Sequence, residues 1–95
     1  MRLSKEKQAF LKQEISSYLK NCQTYLFGSR VDNAAKGGDI DILVIAERSL
    51  TLDEKIEIKA HFYKAFGQEK IDIVSYAKTD QSTFKQIILP SSILL

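Results

Sequence analysis

Hydrophobic residues recur at helical spacing near the beginning of the chain. Between residues 4 and 20 they stand three, four and seven positions apart, which predicts an amphipathic helix with one buried stripe. Ser4 is suited to cap the start of this helix, and Asn21 to end it. The β-branched and aromatic run at 24–27 then predicts a strand that ends at Gly28.

The middle of the chain contains two further strand patterns and a second long helix. Residues 39–45 begin with polar and apolar positions in alternation and become continuously apolar, which predicts a central strand buried on both faces. Thr51 and Glu54 have the capping-box spacing, and the helix that they open is expected to stop at Gly67. Residues 70–76 predict a third strand.

Shorter features connect these elements and complete the chain. We expect a brief helix at 30–35, a turn at 36–38 and a last helix at 80–89, which Pro90 interrupts. The apolar end at 93–95 packs under the first helix or forms a docking patch; the first is the simpler interpretation. Helices alternating with strands predict an α/β (α+β) fold, with helices packed on a small sheet.

Composition narrows the class of protein. Ninety-five residues suffice for a single domain, 1–95, and leave room only for a shallow site or one completed by a partner. Fourteen basic against twelve acidic residues give a net charge of +2, too mild to favour nucleic-acid binding. The lone Cys22 excludes an internal disulfide, and no apolar run could span a bilayer, so we expect a cytoplasmic protein.

Three aspartates stand where burial alone does not explain them. Asp39 and Asp41 lie two positions apart on a predicted strand, so their side chains share a face with Cα atoms roughly 6.6 Å apart. Asp72 interrupts the aliphatic pattern of the next strand. One interpretation is that these acids are solvated or paired with lysines. The other is that they converge around Mg²⁺, which prefers carboxylate and phosphate oxygens and would offset their mutual repulsion. Convergence requires the two strands to be neighbours.

A glycine and a serine follow the first predicted strand. Gly28 lets the backbone approach a ligand closely, and Ser29 offers N–H groups and a hydroxyl to phosphate oxygens. Arg30 adds a charge that contacts the same ligand or is simply solvated. By itself the Gly-Ser pair is a weak motif, but here it precedes the Asp-x-Asp pattern by eleven residues.

Taken together, Gly28-Ser29-Arg30, the segment 39–44 and the segment 70–74 resemble the minimal nucleotidyltransferases of the DNA-polymerase-beta superfamily. The resemblance implies the polymerase-beta-like fold, with a small mixed sheet of about three strands. It implies that Gly28, Ser29 and Arg30 bind a nucleoside triphosphate, with ATP expected. It also implies that Asp39, Asp41 and Asp72 bind Mg²⁺, with Asp72 helping to activate a hydroxyl acceptor for nucleoside monophosphate transfer.

The smallest members of that family resemble antitoxins. The resemblance therefore implies a HEPN-domain toxin as partner, modified on a tyrosine, and leaves an oligomer open. Two alternatives remain: a non-catalytic module that neutralises its partner by contact, and the catalytic subunit of an aminoglycoside-type nucleotidyltransferase. Three positions depart from the family pattern: Asp32-Asn33 replaces a basic pair, and Gly38 replaces a serine before the first aspartate.

Overall fold

The computed structural model describes residues 1–34, 38–67 and 69–95. Three helices and four strands alternate along these residues. The helices are α1 (Lys5–Ser16), α2 (Leu52–Phe66) and α3 (Thr83–Ile88), and the strands are β1 (Gln23–Phe27), β2 (Ile40–Ala46), β3 (Ile71–Ala77) and β4 (Ile93–Leu94). Single turns of 3₁₀ helix follow β1 (Gly28–Val31) and α3 (Leu89–Ser91).

The ends of the long helices follow local side-chain chemistry. Ser4 caps α1 by accepting a hydrogen bond from the Lys7 N–H, as predicted. Thr51 and Glu54 form the predicted capping box of α2, which ends at Gly67 with φ +81°. However, α1 stops at Ser16, four residues before the predicted end. The Ser16 hydroxyl donates a hydrogen bond to the Lys12 carbonyl. Such side-chain bonds to the backbone compete with the main-chain hydrogen bonds of a helix.

The four strands form one mixed sheet in the order β3-β2-β1-β4. β2 runs antiparallel to β1 and parallel to β3, so β2 is an interior strand. Its apolar residues are buried on both sides, as the continuous apolar run predicted. The mixed sheet with helices packed on it confirms the predicted fold class.

One face of the sheet supports the hydrophobic core. Ile40, Ile42 and Val44 of β2 join residues of β1, β3 and both long helices in one buried cluster. Ile58 and Phe62 are the fully buried residues that α2 contributes. The alternation of side chains along a strand then directs the odd-numbered residues of β2, including Asp41, to the opposite face.

The C-terminal end corrects the sequence interpretation. The sequence did not predict a strand here, whereas Ile93 and Leu94 pair with β1 as a fourth strand. Leu95 donates its N–H to the Thr24 carbonyl at 2.8 Å and packs against the core. Two residues are too few for a periodic signal, which is why the sequence predicted about three strands.

Two further predictions concern the loops. The brief helix predicted at 30–35 is the 3₁₀ turn Gly28–Val31, which begins two residues earlier. The predicted turn at 36–38 lies mostly outside the described residues. The last helix is shorter than predicted, because α3 begins after Ser82 and gives way to a 3₁₀ turn at Leu89. No helix among the described residues is long and apolar enough to cross a membrane.

Candidate active site

The two strands that carry the acids are neighbours in the sheet. Asp41 of β2 and Asp72 of β3 are register partners in the parallel pair, so their backbones lie about 4.8 Å apart and their side chains share a face. Asp39 directly precedes β2, close enough for its charge to act on Asp41. The structure therefore brings together the three aspartates that the sequence selected.

The electrostatics of Asp41 reflect this proximity. Burial raises the pKa of its carboxyl group above the ordinary value, and the negative charges of Asp72 and Asp39 raise it further. The nearby Lys70 charge opposes this effect on the pKa. Such a group is stabilised in its charged form by added positive charge, which is what a bound cation would supply.

One cation of the chain already lies beside the acids. The Lys70 ammonium is 3.5 Å from Oδ2 of Asp39, and both side chains are largely exposed. Exposed ion pairs of this kind contribute little to stability, about 0–1 kcal/mol. This contact can therefore give way to a stronger cation at low cost.

Gly28 is pressed against the acidic cluster. Phe27 is the register partner of Asp41, so the next residue lies beside the Asp41 carboxylate. A Cβ atom at Gly28 would lie 2.3 Å from Oδ2 of Asp41, and the φ angle of +77° independently favours glycine. The Gly28 backbone therefore lies close to the Asp41 carboxylate, and its close approach to a ligand stays a prediction.

The hydroxyl of Ser29 lies against Gly38, one of the positions that depart from the family pattern. A Cβ at Gly38 would lie 2.2 Å from Oγ of Ser29, and Gly38 has φ +88°. The serine hydroxyl therefore takes the space that a side chain at position 38 would need. A serine at both positions would force one of the two to move.

Arg30 faces the main chain. Its Nε donates to the Gly38 carbonyl at 3.2 Å and its Nη1 to the Arg2 carbonyl at 3.0 Å, while Nη2 lies 3.9 Å from Glu69. These contacts hold the Gly28–Val31 turn against the residues before β2. A direct contact of Arg30 with a nucleotide stays a prediction.

The Asp32 carboxylate is also engaged locally. Oδ1 of Asp32 accepts a hydrogen bond from the Ala34 N–H at 2.8 Å, a turn that aspartate often forms with its own backbone. The Arg2 side chain donates to the carbonyl groups of Asp32 and Ser29. Sequence reasoning had not selected Arg2, because a basic residue near the start of a chain carries no pattern.

Comparison with known proteins decides the family. The family model "Polymerase beta, Nucleotidyltransferase" matches residues 9–95. This chain belongs to the polymerase beta nucleotidyltransferase family. No curated protein shows a significant match to it. Among solved structures, the fold is similar to a chain in the complex of a tri-AMPylated Shewanella oneidensis HEPN toxin with an MNT antitoxin. That match has a TM-score of 0.60 at 21% identity, over 93% of this chain and 70% of the other.

The donor set of this site suits a hard cation. Two carboxylates on neighbouring strands and a third just before β2 offer the oxygen ligands that Mg²⁺ prefers, and such an ion would keep positions open for phosphate oxygens. The negative charges of Asp72 and Asp39 disfavour the charged form of Asp41, and a bound divalent ion would offset this repulsion. In the described parts of the chain, however, no three acidic, histidine or cysteine groups are already gathered at metal-binding distances. Binding would therefore require these side chains to move together.

Two concavities lie near the ends of the sheet. One, of about 240 Å³, is bordered by Lys59, Tyr63 and residues 69–72, and so includes Asp72. A larger one, of about 560 Å³, lies at the opposite end of β2 between residues 18–21 and 46–48. The larger concavity contains none of the predicted site residues.

Proposed function

We propose that this chain is a Mg²⁺-dependent nucleotidyltransferase that transfers AMP from ATP to a hydroxyl group on a partner protein. The observation that carries this proposal is the pairing of Asp41 with Asp72 across β2 and β3, beside the glycine that approaches Asp41. Family membership supports the reaction class. Nucleotidyl transfer needs positioning and charge neutralisation more than covalent chemistry, so a small domain with three carboxylates is sufficient.

The residues of the chain have distinct parts in this reaction. Main-chain N–H groups of the turn at Gly28 and Ser29 bind the triphosphate, and Asp39 and Asp41 hold Mg²⁺. Mg²⁺, when bound, supplies positive charge that offsets the phosphates and the developing charge on the leaving group. Asp72 accepts the proton of the attacking hydroxyl. The oxygen of that hydroxyl bonds to the α-phosphorus while the bond to pyrophosphate breaks, so pyrophosphate leaves.

The partner is proposed to be a HEPN-domain toxin modified on a tyrosine, which makes this chain an antitoxin. This part rests on the similar fold seen in a complex between an AMPylated HEPN toxin and an MNT antitoxin.

The test is transfer to the protein encoded by the neighbouring gene, which this proposal expects to contain a HEPN domain. Purified chain, ATP, Mg²⁺ and that protein are mixed, and intact mass spectrometry follows the acceptor. We expect a mass gain of one or more AMP groups, which Asp41→Asn reduces by at least about a hundredfold. Glu47→Gln, an exposed acid at the other end of β2, should leave the rate unchanged. A wild-type rate for Asp41→Asn would contradict the mechanism.

A non-catalytic antitoxin is the second candidate. One observation favours it: within the described residues the three aspartates are not yet gathered at metal-binding distances, and Lys70 pairs with Asp39. In this case the chain neutralises its partner by contact alone. Stable complex formation without any mass gain, at several Mg²⁺ concentrations, would favour this candidate over transfer.

A further inference from the structure

One side of α2 exposes large apolar residues. Leu52 is 72% exposed, Ile56 55% and Tyr63 49%. Together with Lys59 they fall within about 60° of the helix circumference, because each residue advances the helix by about 100°. We call Leu52, Ile56, Lys59 and Tyr63 the α2 flank. Contiguous exposed apolar surface of this kind is typical of interaction sites.

The other side of α2 contacts α1 and the residues that follow α1. The Tyr18 hydroxyl donates to Glu57 at 2.6 Å, and His61 contacts Glu14. The α2 flank therefore lies on the side away from α1, towards β3. β3 is an edge strand of the sheet, so β-strands leave this side uncovered in the described residues.

The α2 flank is continuous with the candidate active site. Lys59 and Tyr63 line the concavity of about 240 Å³ that also includes Lys70 and Asp72. A group resting on the α2 flank could therefore extend along this concavity to Asp72, the residue assigned to the acceptor hydroxyl.

Lys59 differs from the other charged residues that border this concavity, which are Glu69, Lys70 and Asp72. The Lys70 ammonium already lies 3.5 Å from Oδ2 of Asp39. The carboxylate of Glu69 is neutralised because Lys7 donates to both of its oxygens at 2.8 Å. Among the described residues Lys59 forms no ion pair, so its charge remains for an anionic group of a partner.

We propose that the α2 flank docks the protein that carries the acceptor hydroxyl, through a surface of that protein which combines apolar and acidic side chains. This proposal rests on the proposed function, because the docked protein presents its hydroxyl to Asp72 through the concavity. Apolar residues on the α2 flank contribute contact area, and the charge of Lys59 selects acidic groups on the docked protein.

The first experiment measures docking apart from chemistry. Isothermal titration calorimetry follows binding of the protein encoded by the neighbouring gene, without ATP and with a metal chelator. We expect Ile56→Asp and Lys59→Glu each to weaken binding by about tenfold or more. Ile87→Asp on α3 is the matched control, since Ile87 is 66% exposed but lies on another helix, and it should bind within about twofold of the wild type.

The second experiment measures transfer by the same variants. Ile56→Asp should raise the KM for the acceptor protein about tenfold and leave kcat within about twofold, because the altered residue holds the acceptor and does not touch the reacting atoms. Circular dichroism and thermal unfolding verify that the variants fold. Asp41→Asn should bind the partner as tightly as the wild type.

The outcomes separate the two proposals. Unchanged binding by Ile56→Asp, or equal weakening by Ile87→Asp, would overturn docking on the α2 flank and leave transfer standing. Loss of a self-associated dimer by Ile56→Asp in sedimentation velocity would also overturn it, in favour of a second copy of the chain. Binding through the α2 flank without any nucleotide transfer would instead overturn the proposed function.

Discussion

At the scale of single residues, Gly28 links the backbone of the 3₁₀ turn to the acidic cluster. Its φ angle of +77° and its contact with Asp41 each require the absence of a side chain. Gly67 has a similar φ of +81° at the end of α2, but no heavy atom lies within 4 Å of a Cβ added there. Comparing the same substitution at both glycines therefore distinguishes the effect of backbone strain from the effect of displacing the Asp41 carboxylate.

We expect both Gly28→Ala and Gly67→Ala to lower the free energy of unfolding by about 1–3 kcal/mol, the cost of an unfavourable φ. Only Gly28→Ala should also abolish nucleotide transfer, because its Cβ displaces the Asp41 carboxylate. Urea unfolding and the transfer assay measure the two effects. Full activity in Gly28→Ala would show that the position of Asp41 is not critical.

The raised pKa of Asp41 predicts a pH-dependent stability. Above the folded-state pKa the carboxylate is charged in both states, and burial and its acidic neighbours disfavour that charge only in the folded protein. This penalty disappears as the pH falls through the folded-state pKa towards the unfolded one. Without metal, Asp41→Asn should therefore be more stable than the wild type at about pH 7, with the difference shrinking towards about pH 4.

Urea unfolding with a metal chelator measures this difference at each pH. Asp53→Asn is the control, because Asp53 lies in the first turn of α2, where a negative charge stabilises the helix. It should lower stability at about pH 7 and so have the opposite sign. A destabilised Asp41→Asn protein at that pH would show that its charge is well compensated in the folded state.

At the scale of elements, β4 protects the edge of β1. It pairs with Tyr25 and Leu26, and the Leu95 N–H bonds to the Thr24 carbonyl. Removing residues 93–95 should lower the free energy of unfolding by about 2–3 kcal/mol, through lost main-chain hydrogen bonds and the exposure of Leu95. Chemical denaturation measures the loss.

Leu94→Ser provides the control for this truncation. The Leu94 side chain is mostly exposed, so its replacement should change stability by no more than about 0.5 kcal/mol. Equal effects of the truncation and of Leu94→Ser would mean that the side chain, and not the pairing of β4 with β1, stabilises this edge.

At the scale of the whole molecule, ligand binding should stabilise the fold, since the proposed ligands contact β1, β2 and β3 together. Mg²⁺ with a nonhydrolysable ATP analogue at about a hundred times its Kd should add about 2.7 kcal/mol to the free energy of unfolding. We expect a rise in Tm for the wild type and none for Asp39→Asn, measured by thermal unfolding. An equal rise in both proteins would place the ligand away from Asp39.

The sequence alone determined the features that depend on near neighbours along the chain. The caps at Ser4, Thr51 and Gly67 and the two-residue spacing of Asp39 and Asp41 follow from bonds and periods that span four residues or fewer. Strand β2 was also evident, because an interior strand is apolar on both faces.

Only the tertiary structure decided which distant segments meet. Register across the sheet places Asp72 opposite Asp41. Contacts between distant segments also direct Arg30 to main-chain carbonyl groups, pair β4 with β1 and leave one side of α2 exposed. These outcomes depend on packing among segments far apart in the chain, and register is set by which face is buried. The sequence therefore supplied the reactive groups, and the packing of β2 between β1 and β3 brought them together.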